Sequence, residues 1–176
     1  RKPRQSFRLG IMDSISLKDL RSHRLEAGDM SVTILSLGCI THDWRVPLDD
    51  TLVPIVLSYR DPADHLRHPG SLGIIAGRVA NRIANAQFSH DGTTYQLAAN
   101  EGTNQSHGGP RGLASRNWDL EPDGSTGVQL QHQSPDGDQG FPGRVDFTVT
   151  IQLQNNRLIY DMSAVPDRAT PINLAQ

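Results

Sequence analysis

Cysteine is almost missing from this chain. Cys39 is the only one in 176 residues, so no internal disulfide can brace the fold. That lone thiol lies in the apolar stretch LSLGCI and reads as a small core residue rather than a nucleophile. Aromatic residues are scarce as well, at 5%. No apolar run approaches the ~20 residues that span a bilayer as a helix. No signal-peptide pattern opens the chain, whose first residue is Arg rather than Met. A chain without disulfides suits a reducing compartment, so the expected location is cytoplasmic. Nor does one sign of charge dominate. The formal net charge of -2 gives no electrostatic reason to bind nucleic acid or membrane. The basic start (Arg1, Lys2, Arg4, Arg8) is short and lacks interleaved aromatics. It reads as a flexible tail over residues 1–12, not as a polyanion-binding arm. Nucleophile-elbow serine motifs, phosphate loops and dinucleotide fingerprints are all absent.

What remains is an ordinary globular composition, 36% hydrophobic and 20% charged, of a length that suits a single domain over residues 1–176. Its dominant pattern has period two. Met30, Val32 and Ile34 share one face of a strand, with Ser31 and Thr33 on the other. Val128, Leu130 and His132 alternate with glutamines. Val145, Phe147, Val149, Ile151 and Leu153 alternate with polar residues, Asn155-Asn156 makes a turn, and Leu158, Tyr160 and Met162 return. Residues 88–97 form a hairpin about Asp91-Gly92, a favoured pair for a type I′ turn. Residues 51–59 carry a proline within a short apolar run, which suggests an edge strand or an irregular segment. Helix signals are thin. Residues 64–68 have room for one turn, and 77–86 read equally as a short helix or an irregular loop. Many short strands at even spacing argue an all-β, antiparallel sandwich or barrel.

Two loop motifs stand out from this scaffold. GRVANRI (77–83) holds Arg78 and Arg82 four residues apart, with Asn81 between them. It is either a surface turn with solvated arginines or a rigid donor set for the oxygens of a small polyhydroxylated ligand. NQSHGG (104–109) places His107 before two glycines, either as a surface histidine or as a group that reaches into a cleft. SPDGDQGFPG (134–143) carries Asp136 and Asp138 two apart. It lacks the ligand spacing and terminal Glu of a calcium loop, so a turn that positions Phe141 is the better reading. His65 and His68 lack convincing third and fourth ligands, so no metal site is expected.

These motifs carry a family resemblance. The run HPGSLGIIAGRVANRI, the hairpin FSHDGTTYQL, then NQSHGGPRGL, SPDGDQGFPG and the closing TPINLAQ follow one another as in the aldose 1-epimerase (galactose mutarotase) family, which the chain resembles from about Met30 onward. The resemblance implies a galactose mutarotase-like antiparallel β-sandwich. It implies an isomerase that interconverts the α and β anomers of free aldohexoses, such as glucose or galactose, without a cofactor. A carboxylate removes the anomeric proton while a histidine protonates the ring oxygen. Carried over by motif, Asn81 and Arg82 are the sugar-binding pair. His107 is the first active-site histidine, catalytic and substrate-binding near the ring oxygen. Arg78 is structural. In the family, the segment like TPINLAQ leads into the second histidine, the proposed acid, and the glutamate base comes much later. Both are expected beyond Gln176. The chain then corresponds to roughly the first half of a member, with little activity alone and a sandwich incomplete at its C-terminal side. The alternative is a non-catalytic carbohydrate-binding β-sandwich that retains the same three residues.

Overall fold

The computed structural model describes residues 15–68 and 70–176, so the tail expected over 1–12 lies outside it. Strands β1 (Ser22–Ala27), β2 (Met30–Leu35), β3 (Thr41–Leu48) and β4 (Thr51–Pro54) form one antiparallel sheet in chain order. A loop-rich middle follows. It contains the one-turn helix α1 (Asp64–Arg67) and the short strands β5 (Arg82–Ile83), β6 (Gln87–His90), β7 (Thr93–Gln96) and β8 (Gln105–Ser106). Strands β9 (Asp119–Asp123), β10 (Gly127–Ser134), β11 (Val145–Gln154) and β12 (Arg157–Pro166) form the second large sheet, in the order β12-β11-β10-β9.

The alternation in the sequence becomes the core. Along β11, Val145, Phe147, Val149, Ile151 and Leu153 are buried and the residues between them are not fully so. Register pairs Leu130 with Val149 and Val128 with Ile151, so apolar side chains of β10 and β11 share one face. That face meets Leu25, Val32 and Ile34 of the first sheet, with Trp118 in the same cluster. Truncating a buried phenylalanine such as Phe147 to alanine costs about 3–5 kcal/mol. The architecture is the expected antiparallel β-sandwich.

Turns follow their residue chemistry. Asp91 and Gly92 both have positive φ, 47° and 73°, as a type I′ turn requires. The hairpin they make stacks Phe88 on Tyr95, ring centroids 5.1 Å apart. Asn155-Asn156 joins β11 to β12 as a two-residue turn. Strand β4 is indeed an edge, and 55–59 beyond it are irregular. Strand β12 is the edge of the second sheet. Its inner face (Leu158, Tyr160, Met162, Ala164) is only partly covered, and Val165 is 61% exposed. Among the described residues no strand pairs with its outer edge.

The segment 77–86 resolves as irregular, not helical. Asn81 has φ 65°, β5 takes up two residues, and a 3-10 turn covers Ala84–Ala86. Arg78 and Arg82 therefore share no helical face. The closing TPINLAQ segment lies along this loop. Ala80 donates to the Asn173 carbonyl at 2.7 Å, and Ala76 to the Ala175 carbonyl at 2.7 Å.

Candidate functional site

Arg78 is the internal anchor of the loop, with 2% of its surface exposed. Its Nε donates to Ser134 Oγ at 3.0 Å, Nη1 to the Pro142 carbonyl at 3.1 Å, and Nη2 to the carbonyls of Ser134 (3.0 Å) and Pro135 (2.8 Å). The guanidinium also lies over the Phe141 ring, 5.9 Å from its centroid. Burial lowers the Arg78 pKa, with Asp138, Asp136 and Asp167 pulling it back up. Asp138 closes the network, accepting from Ser134 Oγ (2.6 Å) and from Arg116 (2.8 Å). The SPDGDQGFPG turn is thus a socket for Arg78. Asp136 accepts from the Gly143 amide and pairs with Arg168. Both carboxylates are bonded to protein donors. Among the described residues, no three His, Cys, Asp or Glu side chains converge as metal ligands would.

The other end of the loop is open. The β5–β8 pairing sets Arg82 opposite Ser106, which carries His107 to the side of Asn81. The His107 amide donates to the Asn81 carbonyl at 2.9 Å, and the Asn81 amide donates to His107 Nδ1 at 3.3 Å. With Nδ1 accepting, a neutral His107 carries its proton on Nε2. Gly108 makes this approach possible. Its φ is 86°, and a Cβ there would overlap the Gly77 carbonyl, so the two motifs touch backbone to backbone.

Asn81, Arg82 and His107 are therefore neighbours. Asn81 and Arg82 are exposed and His107 is half-buried. A fourth residue joins them. Glu101 receives Arg82 in a bidentate pair, Nε to Oε2 and Nη2 to Oε1, each at 2.6 Å. Arg82 Nη1 donates to Asn81 Oδ1 at 3.0 Å. Arg82's hydrogen bonds hold the Glu101 carboxyl below the usual range, with smaller help from the Arg82 charge, and Glu101 raises Arg82 in turn. The Glu101 loop is itself braced. Asn100 Oδ1 accepts from the Ser106 amide at 2.7 Å while Asn100 Nδ2 donates to the Ser106 carbonyl at 3.0 Å.

A cavity of about 470 Å³ opens beside this group, lined by Glu101, Ser106, His107, Leu37, Ile40, Ile74 and others. Its size falls in the range of small-molecule sites, with an apolar floor and few polar groups. An adjoining cleft of about 290 Å³ shares Ser71, Ile74 and His107, and Ala175 and Gln176 line it as well.

His65 also lines the larger cavity. It is buried, and its Nε2 lies 3.2 Å from both His42 Nδ1 and Ser58 Oγ. Burial lowers the pKa of both histidines. His68 does not join them; its carbonyl accepts from the Tyr59 hydroxyl at 2.7 Å. Neither Glu101 nor this His42–Ser58–His65 cluster was legible in the sequence, because the contacts span 7 to 23 residues without a repeating spacing.

Two antiparallel sheets with a cavity lined largely by loop residues define a β-sandwich of small-ligand type. Comparison with known proteins makes that class specific. The aldose 1-epimerase family model matches residues 21–176, and the chain belongs to that family. It is 37% identical over 147 residues to the aldose 1-epimerase of Escherichia coli (strain K12), covering 82% of this chain and 42% of that protein. It is 36% identical over 152 residues to the galactose mutarotase of Homo sapiens, covering 86% and 44%. Among solved structures, an aldose epimerase homologue from C. elegans superimposes with a TM-score of 0.83 at 26% identity, over 88% of this chain and 49% of that one. The galactose 1-epimerase from Lactobacillus acidophilus gives 0.74 at 29% identity, over 88% and 51%. The chain thus spans about half the length of the relatives it matches. Among the described residues no helix is long and apolar enough to cross a membrane.

Proposed function

We propose that this chain supplies the sugar-gripping part of an aldose 1-epimerase site, in a protein that interconverts the α and β anomers of free aldohexoses. The observation that carries this reading is the convergence of Asn81 and Arg82 on His107, which lines the larger cavity, brought together by the β5–β8 pairing. In this reading Arg82 and Asn81 hold ring hydroxyls. Three of the five N–H groups of Arg82 are committed within the protein, which leaves two to donate. His107 presents Nε2–H toward the ring oxygen. Drawing a proton toward that oxygen weakens the C1–O5 bond. A base that takes the anomeric hydroxyl proton then opens the ring, and rotation before reclosure inverts the anomeric centre. The chemistry moves two protons and needs no cofactor.

Titration of the 176-residue chain with D-galactose and D-glucose, followed by amide NMR, tests the grip. Shifts are expected at residues around Asn81 and His107. Arg82→Ala and His107→Ala should each abolish them, and unchanged shifts in both variants would sink the assignment. Polarimetry on freshly dissolved α-D-galactose separates this reading from a domain that binds sugar without chemistry. An enzyme containing this chain should speed mutarotation above buffer, and a purely binding protein should leave the rate unchanged.

A further inference from the structure

The larger cavity has an unusual charge balance. Among the described residues that line it, Glu101 is the only one with a full charge, and no lysine or arginine joins it. The nearby Arg82 has two of its donors turned onto that same carboxylate. We propose that Glu101 is a positioning and specificity-determining residue, which fixes the Arg82 fork for a neutral sugar and disfavours anionic sugars such as hexose phosphates and uronates. The inference rests on the sugar-binding reading above.

Geometry supports the positioning half. A bidentate pair fixes the plane of a guanidinium, where a single contact would let it swing. Here the pair takes Nε and one Nη2 hydrogen, and Asn81 takes one Nη1 hydrogen. The two remaining hydrogens then lie in one fixed plane beside Asn81. The Asn100 clamp on Ser106 in turn holds the loop that carries Glu101. The same pairing argues against Glu101 as the proton-abstracting base. A carboxylate that accepts two charge-assisted hydrogen bonds is a weaker base than a free one.

Electrostatics supports the selective half. A cavity of about 470 Å³ is about 8 Å across, so a phosphate on a bound sugar lies within about one Debye length of Glu101 at physiological salt. Phosphate monoesters carry about -1.5 to -2 at neutral pH. At that separation one carboxylate in a water-like medium contributes about fivefold in affinity, an effect that the bonded Arg82 offsets in the wild-type chain and that removing the Glu101 charge alone isolates.

The test compares D-galactose with D-galactose 6-phosphate on the 176-residue chain, by NMR titration at low salt and at 0.5 M NaCl. Relative to Glu101→Gln, the wild-type chain is expected to favour the free sugar over the phosphorylated one at low salt, with that difference narrowing at high salt. Glu101→Gln keeps an acceptor for Arg82 but removes the charge. It should raise phosphate-sugar affinity about fivefold relative to the free sugar at low salt, while its single acceptor holds Arg82 less firmly than the carboxylate does and weakens the free sugar by less than Glu101→Ala. Glu101→Ala releases Arg82 and should weaken the free sugar about tenfold, as expected for a lost charge-assisted pair. Both residues of the pair are about half exposed, so each variant should unfold near the wild-type temperature. If the wild-type chain binds galactose and Glu101→Gln leaves the two affinities in the same ratio, Glu101 has no selective role. If the wild-type chain binds neither sugar, the sugar-binding reading fails and this inference fails with it.

Discussion

At one end of the GRVANRI loop, Arg78 is sealed in the interior and satisfied by three main-chain carbonyls and a hydroxyl. Four residues on, Arg82 lies half in solvent and is held by one carboxylate and the Asn81 side-chain oxygen. The same side chain thus does two different jobs within one short loop. Arg78 crosslinks the loop to the 134–143 turn, and its charge is met at longer range by Asp138, Asp136 and Asp167. Arg82 commits three of its five N–H groups within the protein. The contrast shows that role follows from what satisfies a guanidinium, and that cannot be read from the residue type.

The sharpest way to break this comparison is Arg78→Ala. Removing the guanidinium strands buried carbonyls and opens a void, so stability to urea should fall by about 3 kcal/mol or more. A loss below about 1 kcal/mol would mean that Arg78 is not the anchor. Gly108→Ala comes next. Its Cβ would meet the Gly77 carbonyl in a left-handed conformation, and about 2 kcal/mol of stability should go. Sugar response should weaken with it, because His107 would be displaced from Asn81.

A milder separation comes from pH. His42, His65 and His132 all have pKa values lowered chiefly by burial. Above about 6.5, the usual histidine value, folded and unfolded chains are alike at these sites. Below it the unfolded chain binds protons that the folded one refuses, so stability falls as pH drops toward the folded values. The Glu101–Arg82 pair behaves oppositely in position, since its depressed carboxyl stays ionised until well into the acid range. Urea midpoints at pH 7.5, 6.5 and 5.5 should decline in that order, and a flat series would show that these histidines are not buried as neutral groups. The smallest effect on stability belongs to Arg82→Ala. An exposed ion pair contributes at most about 1 kcal/mol, so the melting curve should barely move while the sugar response disappears. A large loss of stability there would erase the distinction between the two ends.

Much of the sandwich was legible because burial on one face enforces period two. Val145 to Leu153 and the return through Tyr160 are the clearest case. Strand β3 was missed because THDWRVPL interleaves charges and a proline with few apolar residues, and its pattern grades from buried to exposed instead of alternating. Strands β1 and β9 were missed for a related reason: each buries only one residue fully, Leu25 and Leu120. The loop motifs named Asn81, Arg82 and His107 through family likeness, and the structure brings the three together. Glu101 carried no signal, since it lies 19 residues from Arg82 and meets it only after β5 and β8 have paired. The choice of loop over helix for 77–86 was likewise settled by tertiary contacts, with Arg78 drawn inward to its socket.

That socket has a consequence for how such a chain can change over generations. It addresses Arg78 chiefly through the carbonyls of Ser134, Pro135 and Pro142, a group that every amino acid carries. Side chains along the turn can therefore drift as long as the path of the main chain survives. The Ser134 hydroxyl, shared between Arg78 and Asp138, and the Phe141 ring beneath the guanidinium are read by their identity. The anchor end can absorb substitutions in its partners, whereas the Arg82 end depends on one carboxylate and is reset by a single codon.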